Sequence, residues 1–276
     1  MAGVSESLAG RAAIFQLLPL SLTETPKVTP FLGGYPEVLA RPASRDLWYA
    51  SYVQTYLERD VRAITQVRDL ATYRRFLGLL ASRHGQILNK SDLAAPLGVS
   101  IPTIGEWLRI LEITGQVLVV PPYFENFGKR LLKSPKIYVT DSGLACHLLG
   151  IRSPAELERS PFLGAVIEGF VASEIVKAML NRGARCELYF FRDRAGLEVD
   201  FLFPLETQLW MVEAKAARTI RSGDAAQLAS LKPGAAHRQV QRVVVHRTPQ
   251  HDAPTRVVVP GVRSATIKEF ADQLNS

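Results

Sequence analysis

The stretch Leu197–Lys215, LEVDFLFPLETQLWMVEAK, is the strongest indication of the fold in the second half of this 276-residue chain. Two largely apolar runs flank the short connection PLETQ, and both contain charged residues at alternate positions. Successive side chains of a β-strand point to opposite faces, so Glu198 and Asp200 share one face of the first strand, and Glu213 and Lys215 share one face of the second. The connection is short enough for a hairpin, which predicts antiparallel neighbours with Asp200 close to Glu213.

Two carboxylates and an amine at one place predict a site for a hard divalent cation. Charges within apolar strands are costly if they are buried without a partner, and Mg²⁺ takes oxygen ligands while keeping several waters. We expect Asp200, Glu213 and the backbone carbonyl of Ala214 to hold Mg²⁺ or Mn²⁺, with Glu168 from the preceding helix completing the shell. The metal would activate water for phosphodiester hydrolysis while Lys215 stabilises the transition state. The alternative is a closed, non-catalytic cluster in which Lys215 neutralises the two carboxylates.

The residues around this hairpin predict an αβββαβ unit over residues 156–276. A helix that ends near Gly183 precedes three strands, SGDAAQLASL forms a second helix, and RQVQRVVVH forms a fourth strand. The segment RVVVPG predicts a short edge strand. The fold class expected for the chain is therefore α/β.

Residues 45–155 predict a winged helix-turn-helix, because helical patterns are followed by two alternating strands around the basic loop ENFGKRLLKSP. Ser91, Ser100 and Asp141 are expected to cap helices. The third helix would read DNA, and the candidates for its exposed side are Thr103, Glu106, Arg109 and Trp107. Candidate phosphate contacts on the wing are Lys129, Arg130, Lys133 and Lys136. The alternative is a winged helix that makes only protein contacts, because Glu106 and Glu112 dilute the positive face.

Composition points to DNA as a partner and to the cytoplasm. The formal net charge is +7, which favours an anionic partner. The two cysteines, Cys146 and Cys186, lack the spacing of a zinc site and are too few for a disulfide framework. We expect neither a signal peptide nor a membrane span, because no sufficiently long apolar run occurs.

The second half resembles the PD-(D/E)XK nuclease superfamily, which has an αβββαβ core. Glu168, Asp200 and the segment Glu213–Lys215 stand at the positions of the helix acid, the strand aspartate and the E-x-K motif. Val199 stands where the superfamily motif has proline. The resemblance also implies a site role for Gln227 on the helix after the third strand.

The whole chain resembles the C-terminal part of predicted bacterial and archaeal AAA-type ATPases, in the stretches ESLAGR, LLPLSLTE, GGYPEV, YLERDV, KIYVTDSGL, IEGFVASEI, FFRDRAGLEVDFL and VEAK. In that group a P-loop ATPase domain precedes a winged helix and a restriction-endonuclease-like domain. The resemblance implies that residues 1–44 are a remnant of the ATPase domain and a linker. No GxxxxGK[ST] motif is present, so we expect no ATP site and no ATP hydrolysis by this chain. A truncated, non-catalytic DNA- or protein-binding module, or the partner of a separately encoded ATPase, is the alternative function.

Overall fold

The computed structural model describes residues 16–57, 70–123, 134–193, 196–231, 239–248 and 257–275, and two β-sheets organise this part of the chain. Its α-helices are α1 (Pro36–Ala40), α2 (Arg45–Tyr52), α3 (Leu70–Ser82), α4 (Lys90–Ala94), α5 (Ile101–Ile113), α6 (Ser142–Leu148), α7 (Pro154–Arg159), α8 (Leu163–Asn181), α9 (Ser222–Ser230) and α10 (Ile267–Asn275). Its strands are β1 (Gln86–Ile87), β2 (Val117–Val120), β3 (Lys136–Val139), β4 (Tyr189–Arg192), β5 (Glu198–Leu205), β6 (Gln208–Lys215), β7 (Gln239–His246), β8 (Val257–Val259) and β9 (Val262–Thr266).

The first half combines helices α3, α4 and α5 with a small antiparallel sheet in the order β1-β3-β2. These helices and strands share one apolar core, which is consistent with the predicted winged helix-turn-helix. Helix α2 passes into a π-helical turn at Val53–Leu57, where this described range ends.

The helix starts in this half are set by side-chain caps. The Ser100 hydroxyl accepts a hydrogen bond from the Thr103 N–H (3.2 Å) at the start of α5. Asp141 caps α6 through the Leu144 N–H (2.8 Å). Helix α4 is capped by Asn89 rather than by the predicted Ser91, because the Asn89 side chain accepts from the backbone N–H two residues later.

Trp107 corrects one expectation about helix α5. Only 4% of its surface is exposed, and its ring packs against Tyr73 and Phe76 with centroid distances of 5.3 and 5.1 Å. Trp107 is therefore a core residue and cannot belong to the exposed side of the helix.

The second half is a six-stranded mixed sheet, in the order β4-β5-β6-β7-β9-β8, between two layers of helices. Strands β4, β5 and β6 are antiparallel neighbours, whereas β6, β7 and β9 run parallel. Helices α8 and α10 pack on one face and α9 on the other. The predicted αβββαβ order and the α/β class are confirmed. Strand β9 and helix α10 extend the unit beyond the predicted elements.

A β-bulge lies in β5 beside β4, at the start of the quoted stretch. The pairing shifts by one residue between Tyr189 opposite Leu202 and Phe191 opposite Val199. As a result, Val199 packs with the α9 layer, whereas Phe201 packs with the α8 layer. A bulge re-aims side chains and is often found next to functional sites. Here it lies at the residues that flank Asp200.

The two halves are joined through backbone pairing and a shared core. The Phe190 N–H donates to the Pro121 carbonyl (3.0 Å), and the Tyr123 N–H donates to the Phe190 carbonyl (2.7 Å). Val120 and Tyr138 of the small sheet belong to the same apolar core as α8 and the large sheet. The contacts therefore cross the boundary predicted between residues 155 and 156, which itself stays a prediction.

Residues 16–35, here called the N-terminal arm, also pack onto this body. The buried pair of Glu174 and Lys177 on α8 (2.9 Å) bonds the arm's backbone, since Glu174 accepts from the Leu22 N–H and Lys177 donates to the Leu20 carbonyl. Gly33 has φ 73°, and a Cβ there would lie 2.1 Å from the Asp141 carboxylate. None of the described helices is long and apolar enough to cross a bilayer.

Candidate functional site

The three carboxylates predicted from the sequence come together where the two halves of the protein meet. Glu168 lies in the second turn of α8, Asp200 near the start of β5, and Glu213 near the end of β6. The Ala214 N–H donates to Asp200 Oδ2 (2.9 Å), so the E-x-K segment is fastened to β5 by the aspartate itself. Three separate elements therefore supply the acidic cluster.

Lys136, at the start of β3, places its ammonium inside this cluster. Its Nζ lies 2.9 Å from Glu168 Oε1, 2.7 Å from Glu198 Oε1 and 3.4 Å from Asp200 Oδ1. Its side chain is only 4% exposed. An ammonium has three N–H donors, so its hydrogen-bonding capacity matches these three carboxylates. The cluster thus contains a buried cation that comes from the winged-helix half.

Two further residues that sequence reasoning missed complete the cluster. The buried Tyr138 hydroxyl donates to Glu168 Oε1 (2.5 Å). Glu198 binds Lys136 and, through its other oxygen, Arg192 at 3.5 Å. Glu198 was placed on the same strand face as Asp200, a signal that could have included it. No comparable signal identified Tyr138, because its partner lies on another element.

Lys215 holds Glu213 at the open side of the cluster. The Lys215 Nζ lies 2.8 Å from Glu213 Oε1, and the lysine side chain is 33% exposed against 13% for the glutamate. Glu213 Oε2 is buried and has no hydrogen-bond partner within the described ranges. This pair agrees with part of the closed-cluster alternative, but no direct bond joins Lys215 to Asp200 among these contacts.

Burial and mutual repulsion raise the pKa values of the acids. Burial, followed by the negative charge of Asp200, raises the pKa of Glu168 to about 7 and that of Glu213 to about 8. Burial also raises the pKa of Asp200, although Lys136 opposes the shift. Burial alone would lower the pKa of Lys136, but the surrounding carboxylates outweigh it and raise that pKa. The cluster is therefore short of positive charge while Lys136 stays protonated.

The chemistry of the donors fits a hard divalent cation, but their arrangement does not. Carboxylate oxygens are the ligands that Mg²⁺ and Mn²⁺ prefer, and the unpartnered Glu213 Oε2 adds a free one. The facing oxygens of Glu168 and Asp200, however, bind Lys136. In the part of the chain that the structure describes, no group of three or more histidine, cysteine or acidic side chains is arranged to hold a metal ion. No contact identifies the Ala214 carbonyl as a ligand.

Gln227, expected at the same site, lies exposed on α9. The contact described for it is through its carbonyl, which accepts from the Ser230 hydroxyl (2.8 Å). Its role in the site stays a prediction.

The predicted DNA contacts divide into three groups. Arg109 is exposed on α5, whereas the Thr103 hydroxyl is paired with that of Ser100 (2.8 Å) and is half-buried. Lys136 corrects the expectation of a surface contact on the wing, because its three carboxylate partners draw it into the interior. The remaining wing candidates lie outside the described residues: Lys129, Arg130 and Lys133.

Comparisons with known proteins give relatives without an established activity. Residues 29–155 match the family model "Domain of unknown function (DUF8612)", and residues 163–261 match "Domain of unknown function (DUF4143)". The chain is 34% identical over 272 residues to the uncharacterized proteins Rv2008c of Mycobacterium tuberculosis and Mb2031c of Mycobacterium bovis. The alignment covers 93% of this chain but 58% of each relative. No solved structure matches significantly. The chain is therefore similar to a DUF8612 region followed by a DUF4143 region, in the same order as its two halves.

Proposed function

We propose that the chain is a DNA-interacting protein whose αβββαβ half carries a metal-dependent, nuclease-like site for phosphodiester hydrolysis. The observation that carries this proposal is the convergence of Glu168, Asp200 and Glu213 from α8, β5 and β6, with Lys215 beside them. Carboxylates whose pKa values are raised by burial and by a neighbouring charge cluster at functional sites.

Glu168, Asp200 and Glu213 carry the oxygen ligands that hard cations prefer, and they would hold the metal only where it replaces Lys136 on the facing oxygens. Mg²⁺ or Mn²⁺ held there would supply an activated water and neutralise charge on the phosphate. Glu213 orients the Lys215 ammonium through the 2.8 Å ion pair. Lys215 can thus donate to a phosphate oxygen and stabilise the charge that develops in the transition state.

The exposed cations near the acids are suited to a phosphate backbone. Arg192, 44% exposed, binds Glu198, and Lys215, 33% exposed, binds Glu213. Each of these two side chains therefore contacts the acidic cluster and is also accessible to solvent. Arg109 on α5 and the net charge of +7 add a longer-range attraction for nucleic acid. Phosphate contacts of this kind provide affinity without sequence preference.

The test is cleavage of plasmid and branched DNA by the purified chain with Mg²⁺ or Mn²⁺. We expect Asp200→Ala and Lys215→Ala to abolish cleavage, because each removes a charged group from the cluster. Asp272→Asn is the matched control, since Asp272 forms an exposed ion pair with Lys268 on α10. Circular dichroism checks that each variant is folded.

Cleavage that survives Asp200→Ala would contradict the assignment of the site. Equal activity with and without a chelator would contradict the metal requirement. No cleavage of any DNA under either metal would favour the second candidate below.

The second candidate is a non-catalytic DNA- or protein-binding module. The observation in its favour is Lys136, which binds the carboxylate oxygens that a metal would need. In this case DNA binding should be unchanged by Asp200→Ala and by chelators. ATP turnover by the chain alone would contradict the expectation that it has no ATP site.

A further inference from the structure

The acidic cluster contains a cation that belongs to the protein itself. Lys136 reaches it from β3, the central strand of the small sheet, where its backbone lies between Ile87 of β1 and Val120 of β2. The strand is thus held from both sides. Its ammonium lies 5.6 Å from the centroid of the Phe190 ring.

We propose that Lys136 is the resident counter-cation of the nuclease-like site, and that it competes there with a divalent metal ion. The winged-helix half thereby sets the metal affinity of the other half. This inference deepens the proposed function and rests on it for the identity of the metal class.

The positions of the oxygen atoms support the competition. Glu168 Oε1 accepts from both Lys136 and Tyr138, while the two oxygens of Asp200 are divided between Lys136 and the Ala214 N–H. A metal ion bound to the same oxygens would lie in direct contact with the Lys136 ammonium. Two cations at that separation repel strongly in a site of low effective dielectric constant.

The charges of the cluster support it as well. Glu168, Glu198, Asp200 and Glu213 stand against three cations, which leaves a formal excess of one negative charge when all are ionised. The cations are Lys136, Lys215 and Arg192, which binds Glu198. Without Lys136 the excess grows, and the facing oxygens of Glu168, Glu198 and Asp200 lose their donor. Buried carboxylates left without their cation are costly, and a divalent cation that takes oxygen ligands would reduce that cost.

The experiment is a Mn²⁺ titration of the full chain without nucleic acid, followed by electron paramagnetic resonance of the free ion. The proteins are wild type, Lys136→Met and Lys136→Arg, with Lys268→Met as a control on the exposed face of α10. We expect Lys136→Met to bind one Mn²⁺ about tenfold or more tightly than wild type, because a positive charge has been removed from the ligand oxygens. Lys136→Arg keeps that charge, so its affinity should stay at or below that of wild type.

A second variant identifies the ligands. Lys136→Met combined with Asp200→Asn should lose the gained affinity, since one of the three carboxylates that face the vacated position is gone. If Lys136→Met alone does not fold, Mn²⁺ should restore a cooperative unfolding transition, and failure to do so overturns the proposal. Equal Mn²⁺ affinity of wild type and Lys136→Met also overturns it, as does a gain that survives Asp200→Asn.

These outcomes are separate from those of the cleavage test. A gain of Mn²⁺ affinity in Lys136→Met, with no DNA cleavage by any variant, would refute the proposed function and leave the counter-cation intact. Cleavage by wild type together with unchanged Mn²⁺ affinity in Lys136→Met would refute the counter-cation role and leave the proposed function intact.

Discussion

Replacing Lys136 by methionine should destabilise the protein strongly at neutral pH in the absence of metal. The substitution keeps the length of the side chain but removes the ammonium from three ion pairs of 2.9, 2.7 and 3.4 Å. Removal of one partner from a buried ion pair costs about 3–5 kcal/mol, because the remaining charges stay desolvated. For a chain of this size the corresponding fall in Tm is roughly 6–20 °C.

The assay is urea unfolding followed by tryptophan fluorescence, in chelator-treated buffer. Lys268→Met is the matched control, because Lys268 and Asp272 form an exposed pair at 2.9 Å. Such a pair on a helix contributes at most about 0.5 kcal/mol. If Lys136→Met lost less than about 1 kcal/mol, comparable to the median surface pair, the view of Lys136 as the cation that holds the cluster together would be wrong.

Three further predictions concern the fold and the DNA contact. In Gly169→Ala the new Cβ would lie 2.0 Å from His84 Nε2, so we expect a loss of about 1–3 kcal/mol in urea unfolding; Gly164→Ala, on the same helix with open space around it, should lose nothing. Burial lowers the pKa of His84 from 6.5 to about 4. Between pH 6.5 and pH 4 the unfolded state therefore binds a proton that the folded state does not bind. The stability conferred by the neutral histidine is complete above pH 6.5 and falls by roughly 3 kcal/mol as the pH drops to 4. In His84→Asn the free energy of unfolding should lack this dependence on pH. An identical dependence in the variant would contradict the assignment of the effect to His84. Arg109→Ala should weaken DNA binding and reduce its salt dependence in a shift assay at two salt concentrations. Replacement of Arg185, another exposed arginine, by alanine should reduce the affinity for DNA less. Equal losses of affinity in the two variants would argue against α5 as the DNA-contacting element.

Local patterns were sufficient for the strands and helices around the quoted stretch. The alternation of apolar and charged residues predicted β5 and β6, and the short connection between them predicted their antiparallel pairing, which is observed from Phe201 opposite Val212 to Leu205 opposite Gln208. These features depend on residues that are close in sequence, because the side chains of a strand return to the same face every two residues. The same rule failed at Val199, because the bulge moves that residue to the other face of the sheet from Phe201.

The composition of the acidic cluster depended on contacts between distant parts of the chain. The basic loop before Lys136 predicts a position on the wing surface, yet its partners Glu168 and Asp200 lie 32 and 64 residues further on. Trp107 was assigned to the exposed side of α5, yet the aromatic residues of α3 enclose it. No periodicity of either segment indicates which other element will cover it.

The sequence by itself determined the α/β class and the αβββαβ order. It also placed Glu168 on the first helix, Asp200 on the second strand, and Glu213 and Lys215 on the third strand of that order, since these features follow from patterns that repeat along one element. Only the tertiary structure decided what the carboxylates face. The small sheet lies against α8 and β5, and its central strand brings the buried ammonium of Lys136 and the hydroxyl of Tyr138 to their oxygens. Buried charges must find partners wherever the packing provides them. The balance of charge in the site is therefore a property of how the two halves meet.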